Sequence, residues 1–184
     1  MSSLSVLATP LAGLQIVQRK RLQDPRGFFS RLFCADELSA AGFVHPVAQV
    51  NQTLTHKSGA VRGLHFQHPP HAEVKLVSCL RGEVFDVAVD LRRGSPTFLR
   101  WHAEVLSADN QRSLLIPQGF AHGFQALTSD CELLYLHSCA YAPEFEGAVH
   151  VSDPALGITW PAPIAEISAR DASHPCIDDA FHGI

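Results

Sequence analysis

The chain has 184 residues, of which 46% are hydrophobic and 17% charged, and its formal net charge at pH 7 is −4. These values are typical of a globular protein with a sizeable core, and they exclude a disordered chain and an extended basic surface for nucleic acid. No apolar run has the length of a membrane span, and the N-terminus lacks the pattern of a signal peptide. We therefore expect a single domain over residues 1–184 that is cytoplasmic.

The five cysteines are scattered along the chain and form no CxxC pair; they stand at positions 34, 79, 131, 139 and 176. An odd number without paired spacing favours reduced thiols over a disulfide framework or a zinc site.

The first third of the chain is predicted to form short strands and one helix. Alternating apolar and polar residues indicate strands over residues 14–18, 28–33, 48–55 and 59–67. Residues 34–42 have the composition of a short helix that ends at Gly42. The turn-forming residues 24–27 separate the first two strands.

The rest of the chain continues the strand pattern. A hairpin is predicted over residues 74–80 and 83–91, followed by strands over 98–106, 113–116, 123–127, 131–139 and 148–151. The tail at 164–171 is expected to be helical or irregular. Many short strands with few helices predict an all-β sandwich or barrel, in particular a jelly roll.

The strand at residues 59–67 has an unusual face. The residues that share this face by alternation are Val61, Gly63, His65 and Gln67. A histidine between a glycine and an amide is unexpected in an apolar core. It indicates that this face lines a solvent-filled pocket, where Gly63 leaves room for another group to approach closely. Arg62 and Leu64 are expected to point the other way unless the strand is bulged. The alternative is a buried histidine whose nitrogens are satisfied by neighbours.

A second segment, residues 117–122, has the P-x-G-x-x-H spacing of a cupin motif. It predicts a cupin-like jelly-roll barrel with a few short helices. The metal ligands of that fold are incomplete, because Gln67 stands at one histidine position and Ala126 replaces an expected asparagine. A divalent metal needs several imidazoles and a carboxylate. We therefore predict no metal, and a metal-dependent cupin enzyme remains an alternative.

A longer series of motifs points to one family. In chain order the motifs are Asp24-Pro-Arg-Gly27, Gln49-x-Asn51, residues 61–67 (VRGLHFQ), Lys75-Leu-Val77, residues 82–90, Ser95-Pro-Thr-Phe98, residues 116–124, Tyr135, Asp153-Pro154, Ile158-x-Trp-Pro161 and Ser168-x-x-Asp171. Over about residues 24–175 the chain resembles the dTDP-4-dehydrorhamnose 3,5-epimerase family. The resemblance implies epimerisation of dTDP-4-keto-6-deoxy-D-glucose at C3 and C5, without a metal or an organic cofactor.

The resemblance also implies catalytic roles. Protons are removed from the carbons beside a ketone and returned to the opposite face, which needs a base, a donor for the enolate oxygen, and an acid. His65 is expected to be the base and Asp171 the carboxylate that orients it. Lys75 is expected to hold the C4 oxygen. Tyr135 is expected to be the acid, although on composition alone a tyrosine among leucines is more often a core residue than a catalyst.

The residues that the resemblance implies for substrate binding are Arg26, Phe29, Gln49, Asn51, Arg62, His122 and Tyr141. The two arginines would hold the diphosphate, for which a planar guanidinium is well shaped. Without the motifs, each arginine is as consistent with a surface ion pair.

Three positions depart from the family pattern. Arg31 stands where glutamate is usual, Glu73 where glutamine is usual, and Ala140 where an aromatic residue is usual, with Tyr141 next to it as a substitute ring. Arg31 and Ala140 are expected near the nucleotide. These departures leave open a mono-epimerase of an antibiotic deoxysugar pathway, which inverts only C3 or C5. A non-catalytic protein that binds nucleotide sugars is a further alternative.

The partners implied by the resemblance are a dTDP-4-keto-6-deoxyhexose substrate and a second copy of the chain. In the expected homodimer, residues 14–33 cross to the partner, where Arg26 reaches the neighbouring site. Neither nucleic acid nor a membrane is expected as a partner.

Overall fold

The computed structural model describes residues 3–184, so the first two residues of the predicted 1–184 domain lie outside the described part. Short strands dominate, with two brief α-helices and one 3₁₀ turn at Pro143–Phe145. The strands are β1 (Leu4–Ala8), β2 (Gln15–Arg19), β3 (Arg21–Asp24), β4 (Gly27–Ser30), β5 (Gln49–Thr55), β6 (Val61–Gln67), β7 (Lys75–Arg81), β8 (Glu83–Asp90), β9 (Trp101–Ser107), β10 (Arg112–Ile116), β11 (Phe120–Ala126), β12 (Cys131–His137) and β13 (Glu146–Ala148). The helices are α1 (Ala35–Ser39) and α2 (Ala169–Ala172).

Two antiparallel sheets form the body of the molecule. One has six strands in the order β1-β2-β10-β7-β12-β5, and the other has five in the order β13-β6-β11-β8-β9. Apolar side chains from both sheets meet between them, for example Val77 and Leu133 from the first and Val84 and Phe124 from the second. From β5 to β12 the chain alternates between the two sheets, except at the consecutive pair β8–β9, as in a jelly roll. The predicted all-β fold is confirmed.

Each sheet is also covered on its outer face. Leu38 of α1 and Phe43 pack with Leu76 and Leu115 on the six-stranded sheet. The chain after β13 covers the five-stranded sheet, where Leu156 lies in the same cluster as residues of β6 and β8. This tail ends near the site, because α2 contacts β6.

The hairpin predicted over residues 74–80 and 83–91 is wrong, because β7 belongs to the six-stranded sheet and β8 to the five-stranded sheet. The other predicted elements differ from the observed ones mainly at their ends. The helix expected over residues 34–42 is shorter, Ala35–Ser39, and Gly42 with φ +103° lies two residues beyond the Ala40 C-cap. β1 and β3 have no counterpart among the predictions, and most residues of both strands are exposed. The tail, expected to be helical or irregular over 164–171, contains only the short helix α2. No helix in residues 3–184 combines the length and apolarity that crossing a bilayer requires.

Candidate active site

A bulge in β6 sets the orientation of the central strand. His65 is paired with His122 of β11 and Arg62 with Phe124, so Gly63 and Leu64 together oppose the single residue Gly123. The extra residue brings Arg62 to the same side as His65. Simple alternation, which placed Arg62 opposite His65, is therefore wrong here, and the bulged alternative is the observed one.

Gly63 is required at this bulge for two reasons. Its φ of +134° lies outside the range that L side chains ordinarily adopt. In addition, a Cβ added to Gly63 would lie only 2.6 Å from the Gly123 Cα. The close approach expected at Gly63 is therefore present, and the group that approaches is the backbone of β11.

A cavity of about 550 Å³ opens beside β6. The predicted site residues that line it are Asn51, Arg62, His65, Lys75, His122, Tyr135, Tyr141 and Asp171. They come from the five strands β5, β6, β7, β11 and β12, from the segment after β12 and from α2, so residues more than 100 positions apart meet. A set of polar side chains around one cavity is typical of a small-molecule site.

His65 and Asp171 form a hydrogen-bonded pair at the cavity wall. His65 Nε2 lies 2.9 Å from Asp171 Oδ1, and the Gly63 N–H donates to Asp171 Oδ2 at 3.2 Å. Burial lowers the pKa of His65 below 6.5 despite the carboxylate beside it. Burial alone would raise the pKa of Asp171, but the Gly63 N–H and His65 lower it below its ordinary value. The pair therefore holds a neutral imidazole against a charged carboxylate at pH 7, as a general base requires.

Lys75 is a buried cation held from two sides. Its Nζ donates to the His65 carbonyl oxygen at 3.2 Å and lies 3.1 Å from Glu73 Oε1. Glu73 also accepts a hydrogen bond of 2.7 Å from His137 Nδ1. Burial tends to raise the pKa of Glu73, but His137 and Lys75 lower it. Glu73, noted as a departure from the family pattern, thus fixes the ammonium group next to the base.

Tyr135 lies between two imidazoles, 9% exposed. Its ring is stacked on that of His137 at 6.0 Å and meets that of His122 edge-on at 5.9 Å. Burial, reinforced by the Asp86 carboxylate, raises the pKa of Tyr135 well above its usual value. The phenol therefore keeps its proton at neutral pH and can donate it.

A second imidazole–carboxylate pair lies behind the cavity. His122 Nε2 is 2.8 Å from Oδ1 of Asp86, which is fully buried on the neighbouring strand β8. Burial raises the pKa of Asp86, and its Oδ2 has no hydrogen-bond partner in residues 3–184. The sequence predictions missed Asp86 as a site residue. The signal was an aspartate in the middle of a strongly apolar strand.

The remaining lining residues lie nearer the cavity mouth. Arg62 donates to Thr55 Oγ1 at 3.1 Å. Tyr141 is half exposed, and its hydroxyl donates to Glu146 at 3.0 Å. Gln49 does not line the cavity but lies next to it, since its amide donates to Asn51 and accepts from the Tyr141 N–H.

Besides Gln49, two further predicted residues do not line this chain's own cavity. Arg26 and Phe29 belong to the separate β3–β4 hairpin, where the Arg26 side chain is 89% exposed and paired with Asp24. Two of the departures are also outside it. Arg31 is paired with Glu37 of α1, and Ala140 is a hydrogen-bond acceptor for Gln67. Neither Arg31 nor Ala140 lines this cavity, and their expected position near the nucleotide stays a prediction.

Comparison with known proteins agrees with this arrangement. A sequence model of the dTDP-4-dehydrorhamnose 3,5-epimerase family matches residues 8–179. The epimerase of that name from Salmonella typhimurium is 42% identical over 178 residues, which cover 96% of this chain and 97% of the relative.

Solved structures give the same result. The dTDP-6-deoxy-D-glucose-3,5-epimerase from Legionella pneumophila, solved in complex with dTDP-4-keto-L-rhamnose, is 39% identical with a TM-score of 0.89, covering 94% of this chain and 92% of that chain. A 3′-monoepimerase from Streptomyces bikiniensis, in complex with dTDP-quinovose, is 37% identical with a TM-score of 0.84, covering 91% and 85%. The cupin-like fold prediction is confirmed. The chain belongs to the dTDP-4-dehydrorhamnose 3,5-epimerase family.

Proposed function

We propose that this protein is an isomerase that converts dTDP-4-keto-6-deoxy-D-glucose to dTDP-4-keto-L-rhamnose by inverting C3 and C5. The observation that carries the proposal is the convergence of the His65–Asp171 pair, Lys75 and Tyr135 on one cavity. Family membership and the rhamnose-nucleotide complex of the Legionella relative support the same substrate.

The chemistry follows from the protonation states of these groups. The ring nitrogen of His65 that does not face Asp171 takes the proton from the carbon beside the ketone, and Asp171 stabilises the imidazolium that forms. Lys75 donates to the C4 oxygen as it becomes an enolate, which offsets the developing negative charge. Tyr135 then gives its proton to the opposite face of the carbon. Exchange with water restores both groups before the second carbon reacts.

Arg62 and Tyr141 are proposed to hold the nucleotide part of the substrate near the cavity mouth. Arg62 is suited to the diphosphate because its planar guanidinium matches phosphate oxygens. Tyr141 offers an exposed ring that a base can stack against. Asn51, Gln49 and His122 supply polar contacts around the sugar.

Proton NMR in deuterium oxide tests this function directly. With dTDP-4-keto-6-deoxy-D-glucose, we expect deuterium to appear at both C3 and C5 and the rhamno-configured product to form. The absence of exchange at both carbons would contradict the proposed function.

A mono-epimerase is the second candidate, favoured by the similarity to the 3′-monoepimerase from Streptomyces bikiniensis. It would use the same base, cation and acid on one carbon. Exchange and inversion confined to one of the two carbons in the same NMR experiment would favour it over the double epimerase.

We also propose that the protein is a homodimer. The β3–β4 hairpin exposes Leu22, Phe28 and Phe29, each with about half or more of its surface in water. β2 is not available for exchange, because it pairs with β1 and β10 of its own chain. Residues 21–30 are therefore the part of the expected 14–33 segment that would cross, bringing Arg26 and Phe29 to the partner's cavity.

A further inference from the structure

A third titratable side chain lies against the His65–Asp171 pair and has no role in the proposed reaction. His174 follows α2, three residues after Asp171, and its Nε2 is 3.5 Å from Asp171 Oδ1. This Nε2 atom is buried and has no hydrogen-bond partner in residues 3–184. The two imidazole rings, of His65 and His174, are nearly perpendicular, with centroids 5.6 Å apart.

These three side chains have the composition and spacing of a zinc site. One ligand atom from each of the three residues lies within 4.8 Å of the other two. Asp171 Oδ1 is 2.9 Å from His65 Nε2 and 3.5 Å from His174 Nε2. Ligand atoms around tetrahedral Zn²⁺, at about 2.0–2.2 Å from the ion, are roughly 3.3–3.5 Å apart. Shifts of about 1 Å or less would therefore bring the three atoms into coordination distance of one ion. Two imidazoles and one carboxylate are also a common ligand set for catalytic zinc.

The surroundings favour a metal at this position. Asp171 is oriented by the Gly63 N–H, and its own N–H is capped by Ser168 Oγ at 3.0 Å. Both histidine side chains are partly exposed, 29% for His65 and 17% for His174, so an ion can reach them from solvent.

We propose that His65, Asp171 and His174 form a site for Zn²⁺ or a similar divalent ion that switches the enzyme off. A metal on His65 Nε2 displaces the proton that this nitrogen shares with Asp171. The proton moves to Nδ1, the nitrogen that would otherwise accept the substrate proton, so the base is blocked while the ion is bound. The inhibition rests on the proposed role of His65, whereas the binding of the ion does not.

Direct binding is measured first, on protein freed of metal by a chelator that is then removed. Titration with Co²⁺ is expected to give the visible absorption of a tetrahedral site, at one ion per chain, and Zn²⁺ is expected to displace it. His174→Leu removes one ligand, and His45→Leu is the matched control because His45 is exposed in a bend. Mutation of a residue that only hydrogen-bonds to a metal ligand typically lowers metal affinity by about 10–100-fold. His174→Leu should therefore weaken binding at least about tenfold, and His45→Leu should not change it.

Inhibition is measured next on the same proteins. Zn²⁺ is expected to stop both deuterium exchange and product formation in the wild type and in His45→Leu, and EDTA is expected to restore them. His174→Leu, or His174→Asn if the leucine variant does not fold, should need at least about tenfold more Zn²⁺.

Several outcomes would overturn the proposal. Equal zinc affinity in all variants would place any bound ion elsewhere, and absence of the cobalt spectrum would show that the site does not form. Zinc bound at this site without inhibition would contradict the proposal that the ion blocks the base.

The proposed function is tested separately. If the protein binds Co²⁺ as described but shows no epimerisation after the metal is removed, the proposed function is contradicted and the metal site is not.

Discussion

At the residue scale, the candidate site depends on side chains whose burial sets their protonation. His65, Lys75, Tyr135 and Asp171 were all predicted from motif positions, and all line one cavity. Asp86 and His174 were not predicted as site residues, because their contacts with other site residues form only in the folded chain. Asp86 meets His122 across two strands, and His174 meets Asp171 around one turn of helix. The sequence marks Asp86 only as an aspartate within a strongly apolar strand, and it gives no pattern that distinguishes His174 from an ordinary histidine.

The pH dependence of catalysis follows from the direction of the His65 shift. A base must be neutral to accept a proton, and burial lowers the pKa of His65 below 6.5. The value of kcat/KM should therefore fall only as the pH drops through a midpoint below 6.5. Steady-state rates between pH 4.5 and 8 would measure it, the pH range being chosen to bracket the usual histidine value of about 6.5. A midpoint above 6.5 would contradict the assignment of a buried, neutral His65 as the base.

Lys75 gives a second test at this scale. Lys75→Met removes the donor to the enolate oxygen and should lower kcat by about 10²–10³-fold, as loss of an oxyanion donor does in other enzymes. The change also leaves Glu73 with one charged partner fewer, so the double variant Lys75→Met/Glu73→Gln separates catalysis from misfolding. Lys20→Met, at an exposed position, is the control. A double variant that folds and keeps wild-type kcat would exclude Lys75 from enolate stabilisation.

At the element scale, the strands were predictable and the bulge was not. The alternation in residues 83–91 predicted β8 within one residue, because Phe85, Val87 and Val89 repeat at every second position along the strand. In β6, alternation placed Arg62 on the wrong side, since the register shift depends on the close approach of Gly63 to Gly123. That contact joins residues 60 positions apart, and no local pattern encodes it.

The bulge can be tested with a matched pair of glycines. Gly63 and Gly27 have nearly the same φ, +134° and +133°, but a Cβ on Gly27 would meet nothing within 4 Å. Both Gly→Ala changes force an L side chain into an unfavourable positive φ, and only Gly63→Ala adds a steric clash with the backbone of β11. We expect Gly63→Ala to be less stable than Gly27→Ala by about 1–3 kcal/mol in denaturant unfolding. Equal losses for the two variants would contradict a close-packed bulge.

At the scale of the whole molecule, both sheets contribute side chains to the cavity. The exposed apolar residues of the β3–β4 hairpin are the reason for proposing a dimer. Light scattering should give twice the chain mass of 20.0 kDa. Phe28→Asp and Phe29→Asp place charges on the exposed apolar face and should favour the monomer, whereas Ser39→Asp on the exposed end of α1 should not. A wild-type mass of 20.0 kDa at micromolar concentration would contradict the proposed dimer.

The central claim is that His65 removes the proton and Tyr135 returns one to the opposite face. Measuring deuterium exchange and inversion separately in His65→Asn and Tyr135→Phe tests it most directly. His65→Asn should abolish both processes, since no proton leaves the sugar. Tyr135→Phe should keep exchange, because His65 can return a deuteron to the same face, while inversion slows by about 10²–10⁴-fold. Unimpaired inversion in Tyr135→Phe, or continued exchange in His65→Asn, would contradict the account.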